Sequence, residues 1–224
     1  MEQGLGFAHF LSQADGVGKS VLAVLLLLSL ASWYLIVTRA LSNWLTQRRA
    51  EDFLSRFWQF RSLSEAGSLP ADNAFAVLTR RASEAAEEAR RQGDESLAVA
   101  GGLAEYLTRV LHNEVDREAA EVESGLTVLA SAGSAAPYIG LLGTVWGIYH
   151  ALVQIGMSGQ GTLDKVAGPV GEALIMTALG LAVAIPAVLA YNAFNRRNRM
   201  WLAKLESFAH DLYVLMTVKS GHGR

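Results

Sequence analysis

The sequence predicts an all-α membrane protein with three transmembrane helices and long cytoplasmic helical extensions. Of its 224 residues, 51% are hydrophobic and only 18% are charged, which is apolar for a water-soluble domain. The apolar residues are concentrated in three long runs, and the segments between them repeat their apolar positions with the period of a helix. These observations favour membrane helices that continue into a helical bundle over a separate catalytic domain.

Each apolar run is long enough to cross a membrane as a helix. A hydrocarbon core about 30 Å thick requires roughly 20 residues at 1.5 Å per residue. The predicted spans are 20–38, 126–156 and 166–194. The alternative is a helix in the core of a soluble protein, which is disfavoured because such helices rarely run this long without charge.

The distribution of lysine and arginine predicts the orientation. Basic residues are frequent after the first and third runs, whereas the N-terminal segment and the 157–165 loop carry one lysine each. Segments rich in lysine and arginine stay in the cytoplasm. We therefore expect 39–125 and the C-terminal tail 195–224 to be cytoplasmic, with 1–19 and 157–165 on the opposite side. The 1–19 segment is either an interfacial helix or a frayed terminus.

The cytoplasmic segment is predicted to be helical. Asp72 or Asn73 is placed to cap a helix that stops near Gly93. From about Glu95 the helical pattern continues without a break to Leu126, which predicts one continuous helix that enters the second span. Three aromatic residues at helical spacing are interpreted as helix packing rather than as a cofactor site: Phe53, Phe57 and Phe60.

Small residues in the second and third spans predict close helix packing. Gly143 and Gly147 form a motif of two glycines four residues apart, which allows helices to approach closely in lipid. The third span carries a line of small residues at helical spacing that should also pack tightly: Ala173, Thr177, Gly180, Ala184 and Ala187. We assign the role of helix packing to Gly140, Gly143, Gly147, Gly180 and Pro186.

Three polar residues inside these spans are the candidate functional groups. A carboxylate in hydrocarbon is costly, so Glu172 is a functional candidate, with a side chain that reaches interfacial water as the alternative. Thr144 and Thr177 lie roughly 15–18 Å from the outer ends of their spans, so adjacent antiparallel helices would pair their hydroxyls near the midplane. Hydrogen bonding of each threonine to its own helix is the alternative. Glu172 is about 140° from Thr177 around the helix and does not share its face.

Two long segments of the sequence resemble the ExbB/TolQ/MotA proton-channel family, in particular its ExbB branch. They are APYIGLLGTVWGI at 136–148 and GEALIMTALGLAVAIPAVLAYN at 171–192. The motifs occur in the expected order and at the expected separation, and the chain length and the layout of three spans fit the family throughout. The TolQ branch is the close alternative.

The resemblance implies an inner-membrane homo-oligomer, typically a pentamer, with a periplasmic N-terminus. In the family, the oligomer surrounds the single membrane helices of the partner ExbD. With TonB, the complex uses the proton-motive force to energise transport across the outer membrane. Thr144, Glu172 and Thr177 match the polar residues of the proton pathway, while the essential aspartate lies on the partner helix. No cofactor is expected.

Other functions are disfavoured by the residues themselves. The net charge of −2 gives no reason to expect nucleic-acid binding, and the absence of cysteine excludes disulfides and thiolate metal sites. The sequence shows no nucleophile with an adjacent base and no cluster of metal ligands, so nothing in it indicates an enzyme. Three spans without an internal repeat disfavour a secondary transporter. A structural scaffold for a partner membrane protein remains an alternative to the motor subunit.

Overall fold

The computed structural model describes residues 15–59, 72–92, 102–158 and 163–221. It contains five α-helices in these ranges: α1 (Gly16–Phe57), α2 (Ala74–Gln92), α3 (Gly102–Glu123), α4 (Leu126–Ser158) and α5 (Leu163–Gly221). The described ranges contain no β-strand, so the predicted all-α class is confirmed. Most of segment 1–19 and the centre of loop 157–165 lie outside the described residues.

Three helical stretches in the described ranges are long and apolar enough to cross a membrane, as the sequence predicted. The predicted spans 20–38, 126–156 and 166–194 fall within α1, α4 and α5, and α1 and α5 continue well beyond them. The segment that we predicted as a C-terminal tail is also helical, because α5 continues to Gly221 without interruption. Pro137 in α4 and Pro186 in α5 lie inside helices.

The chain divides into two compact units. The first comprises Met1–Thr38 and Gly125–Phe194. In it, the N-terminal half of α1, all of α4 and the first half of α5 pack around small and branched apolar residues such as Leu25, Leu129 and Ala187. Large apolar side chains on the outside of this unit are exposed: Leu26, Leu27, Leu30, Leu141, Leu142 and Ile185. Such a surface suits lipid or other membrane helices.

The second unit comprises Arg39–Ser124 and Asn195–Arg224 and has an aromatic core. The Phe208 ring contacts Phe57 and Phe75 edge-on, with centroids 4.9 and 5.2 Å apart. The prediction that Phe53 and Phe57 serve helix packing is therefore confirmed, while Phe60 lies outside the described residues. Asn73 caps α2 by accepting a hydrogen bond from the Ala76 amide at 3.0 Å, which confirms the predicted helix start.

The continuous helix predicted from Glu95 into the second span is wrong, because the chain turns at Ser124–Gly125 between α3 and α4. Gly125 has φ = +79°, which is left-handed backbone that glycine adopts without steric cost. Side chains from two other helices bind the carbonyls left open at the end of α3. The Asn198 amide donates to Val122 O at 2.7 Å, and the Arg39 guanidinium donates to Glu121 O and Ser124 O. These hydrogen bonds satisfy backbone groups that a helix end leaves unpaired.

Candidate functional site

Thr144 of α4 and Thr177 of α5 form a hydroxyl pair inside the first unit. Their Oγ1 atoms are 2.6 Å apart, which is a short distance for a hydrogen bond between hydroxyls. The Thr144 side chain is buried and that of Thr177 is half-buried. The structure therefore brings together two of the three residues that the sequence assigned to a proton pathway.

The Thr144 hydroxyl is within hydrogen-bonding distance of three oxygens. Besides Thr177 Oγ1, these are Ala173 O across the helix pair at 3.0 Å and Gly140 O in its own helix at 3.2 Å. A hydroxyl carries one proton and can accept others. When Thr144 donates to either carbonyl, Thr177 donates to Thr144. Pairing across helices and bonding to the same helix, which the sequence posed as alternatives, thus coexist at Thr144.

Two glycines bring the backbones of α4 and α5 into contact beside this pair. A methyl group at Gly140 would lie 2.6 Å from Met176 O, and one at Gly180 would lie 2.6 Å from Ala136 O. Real side-chain carbons do not approach a carbonyl this closely, so both positions require glycine. The helices run antiparallel, and this contact sets the register in which Thr144 meets Thr177.

Gly143 and Gly147 extend the same contact toward the end of α4. A methyl group at Gly143 would lie 3.0 Å from the Val21 side chain of α1 and 3.1 Å from that of Met176 of α5. At Gly147 it would lie 3.0 Å from Ala173 Cβ. These distances explain why small residues occupy the second span, since larger ones would separate the helices.

The two remaining predicted residues are located only in part. Glu172 lies in the helical backbone of α5, five residues before Thr177, but its side chain is outside the described residues. Its assignment to the proton pathway stays a prediction. Pro186 lies inside α5 and is half-buried, and its role in helix packing also stays a prediction.

A polar contact near the start of α1 escaped the sequence analysis. Asp15 caps this helix through a 2.7 Å hydrogen bond from the Gly18 amide, and its second oxygen accepts a 2.6 Å hydrogen bond from the Trp146 indole. The available signal was an aspartate directly before an apolar helix, which is typical of a cap.

The Asp15 contact predicts a specific acid sensitivity. The hydrogen bonds from Gly18 and then Trp146 lower the pKa of Asp15 below its ordinary value of 3.8. Because the pKa of Asp15 is lower in the folded chain than in the unfolded chain, the ionised carboxylate stabilises the fold at pH values above 3.8. This stabilisation is lost as the pH falls through the lowered pKa. We expect Asp15→Ala to cost about 1 kcal/mol at neutral pH and less near pH 3. The midpoint of thermal unfolding against pH measures this.

Asp15→Asn is the matched control for this prediction. Asparagine also caps helices but has no charge to titrate, so its midpoint should lack the change that Asp15 contributes at acid pH. An equal loss for Asp15→Ala at pH 7 and pH 3 would contradict the electrostatic explanation.

Comparison with known proteins identifies the family. Residues 76–207 match the family model described as the MotA/TolQ/ExbB proton channel family. The chain is 39% identical over 221 residues to the biopolymer transport protein ExbB of Xanthomonas campestris pv. campestris, covering 93% of this chain and 87% of that protein. It is 41% identical over 202 residues to ExbB of Neisseria meningitidis, covering 89% and 92%.

The Tol-Pal system protein TolQ of Pseudomonas aeruginosa is 35% identical over 212 residues, covering 92% of this chain and 90% of that protein. The two ExbB proteins above are thus more similar to this chain than this TolQ is, in agreement with the branch that the sequence motifs favoured. The match covers the hydroxyl pair, all of α4 and residues 163–207 of α5. This chain belongs to the MotA/TolQ/ExbB proton channel family.

Proposed function

We propose that this chain is an inner-membrane subunit of a proton-driven motor. In this proposal it works with an ExbD-like single-span protein and a TonB-like protein to energise active transport across the outer membrane. Family membership supports the proton channel. The name biopolymer transport protein, carried by relatives at 39% and 41% identity, supports transport as the process that is driven.

The pairing of Thr144 with Thr177 is the observation that carries this proposal. A hydroxyl donates one hydrogen bond and accepts others, so a pair inside a span can bind water and pass a proton on, each oxygen releasing its own proton as it receives another. The hydroxyl pair cannot store a proton, as a titratable carboxyl group can. That role falls to Glu172 and, by the family resemblance, to the aspartate of the partner helix. A proton crossing 100 mV supplies about 2.3 kcal/mol for each step of work.

The proposal includes an assembly and an orientation. We propose a homo-oligomer, a pentamer by family resemblance, that surrounds the partner helices in the lipid membrane. Exposed apolar side chains on all three spanning helices provide surfaces for sister subunits and lipid. The excess of lysine and arginine in 39–125 and 195–224 supports a periplasmic N-terminus and a cytoplasmic C-terminus.

Replacement of Glu172 tests the proposal. We expect Glu172→Gln to reduce TonB-dependent uptake about tenfold or more, because glutamine keeps the shape but cannot exchange a proton. Uptake is measured in cells that lack their own copy of the gene, and complex yield is measured in parallel. Glu206→Gln is the matched control on the same helix, since Glu206 is exposed and makes no described contact. Normal uptake with Glu172→Gln would reject a role for the carboxylate.

A structural scaffold is the second candidate, and one observation favours it. The Thr144 hydroxyl is within hydrogen-bonding distance of a carbonyl in each of the two helices, as a residue that only joined helices would be. A scaffold predicts that threonine variants lower uptake only as far as they lower complex yield. A TolQ-type function predicts that the chain restores envelope integrity rather than uptake in the corresponding deletion strains.

A further inference from the structure

A polar cavity of about 480 Å³ lies within the second unit. Its volume falls in the range of roughly 300–1,000 Å³ that small-molecule sites occupy. Four helices contribute to its wall, and each of the four provides at least one arginine: Arg39, Arg80, Arg81, Arg117 and Arg197. None of these residues belongs to the hydroxyl pair or its surroundings.

Four carboxylates also line the polar cavity, and three of them are engaged by neighbours, since Asp72 accepts a hydrogen bond from the Asn73 amide at 3.2 Å. Glu114 pairs with Arg81, with 3.3 Å between Oε1 and Nε. Glu118 accepts a hydrogen bond from the Trp201 indole at 2.8 Å, and burial raises the pKa of this carboxyl group. Five arginines against these four carboxylates leave an excess of one formal positive charge in the cavity wall.

Several arginine N–H groups remain available inside this wall. Arg117 forms no hydrogen bond or ion pair with any described residue. Arg39 and Arg197 bind protein oxygens through Nη2 alone, and the Arg197 bonds to Asn43 O and Gln47 Oε1 are both 2.7 Å long. In each of these two arginines, the Nε and Nη1 groups together carry three further N–H donors. The Nε of Arg81 is already 3.3 Å from the Glu114 carboxylate, so it does not count among the available donors.

We propose that the polar cavity binds a phosphate group. Guanidinium groups match the geometry of phosphate oxygens and bind them through paired hydrogen bonds. Two sources share this chemistry, namely the headgroup of an anionic lipid and a free phosphate compound. A lipid source is consistent with the sequence, because Arg39 directly follows the span 20–38 and Arg197 follows the span 166–194 by three residues.

The absence of cysteine from the chain permits a direct test of occupancy. Ser42→Cys places one thiol in the wall of the polar cavity, on an exposed residue of α1. A bound phosphate group should slow the reaction of this thiol with a maleimide severalfold. Ser55→Cys is the matched control, since Ser55 is exposed on the same helix and outside the cavity wall. The full-length chain is used throughout.

The two sources are distinguished by the labelling conditions. In neutral detergent, sodium phosphate is compared with sodium chloride at matched ionic strength. In nanodiscs, phosphatidylcholine alone is compared with a mixture containing phosphatidylglycerol. Protection by phosphate in detergent supports a free compound, and protection only with phosphatidylglycerol supports a lipid headgroup. Equal rates for Ser42→Cys in every condition, or equal protection of Ser55→Cys, overturn the proposal.

A second variant tests whether the arginines are responsible. Arg117→Gln in the Ser42→Cys background should raise the half-protecting concentration about tenfold, because it removes a charge-assisted contact. Arg109→Gln removes the same charge eight residues earlier on α3 and outside the cavity wall, and it should have little effect. Arg80→Gln provides an independent variant of the cavity wall. Protection that survives both cavity variants, or falls equally with Arg109→Gln, overturns the proposal.

Discussion

Replacing Thr144 with valine is expected to lower TonB-dependent uptake about tenfold or more while the complex still assembles. Valine has nearly the shape of threonine but lacks the hydroxyl that lies 2.6 Å from Thr177 Oγ1 and 3.0 Å from Ala173 O. The Thr177 hydroxyl then loses its partner in α4, and the two helices no longer share an exchangeable proton. Loss of one buried hydrogen bond costs about 1–3 kcal/mol, which a packed helix pair should tolerate.

Two further variants make this prediction specific. Thr144→Ser keeps the hydroxyl and should retain most uptake. Thr79→Val removes another buried hydroxyl, one that donates to Phe75 O in its own helix, so it should affect stability alone. Uptake that falls only in proportion to complex yield for Thr144→Val would contradict a proton role and favour the scaffold.

Gly180→Ala is expected to have the largest effect on assembly. The added methyl group would lie 2.6 Å from Ala136 O and 3.1 Å from Gly140 Cα, and both of these are backbone atoms that cannot rotate away. The α4–α5 pair would have to separate, which typically costs 1–3 kcal/mol or more and would also lengthen the distance from Thr144 to Thr177. We therefore expect both complex yield and uptake to fall.

Gly171→Ala is the matched control, because it makes the same chemical change nine residues earlier on α5 where nothing lies within 4 Å. Complex yield by size-exclusion chromatography and the midpoint of thermal unfolding measure the difference. Equal values for the two alanine variants would show that the close contact at Gly180 is not needed for assembly.

The sequence was sufficient to predict three helices that are long and apolar enough to cross a membrane, and to predict the hydroxyl pair. The spans follow from the length of the apolar runs, since few other structures bury 20 or more such residues in one helix. The pairing of Thr144 with Thr177 follows from depth, because both lie a similar number of residues from the outer ends of antiparallel helices. Both features can be predicted from the apolar run lengths and from the positions of residues along their helices.

Features that depend on contacts between distant residues were not predictable in the same way. The turn at Gly125 lies within an unbroken helical pattern, and the hydrogen bonds from Arg39 and Asn198 that complete it come from other helices. The bond from Trp146 to Asp15 joins residues 131 positions apart. Periodicity carries no information about such partners. The polar cavity was missed because its arginines come from four different helices, and periodicity does not show which of them meet.

The contact of Gly140 with Gly180 limits where sliding can occur during a work cycle. With backbone against backbone, the α4–α5 pair has no compressible side chains that could absorb a shift in register. We therefore expect α4 and α5 to move together as one rigid body, which keeps Thr144 and Thr177 at a constant separation. Any rotation or sliding that the motor performs would then occur at the interfaces between this chain and other subunits.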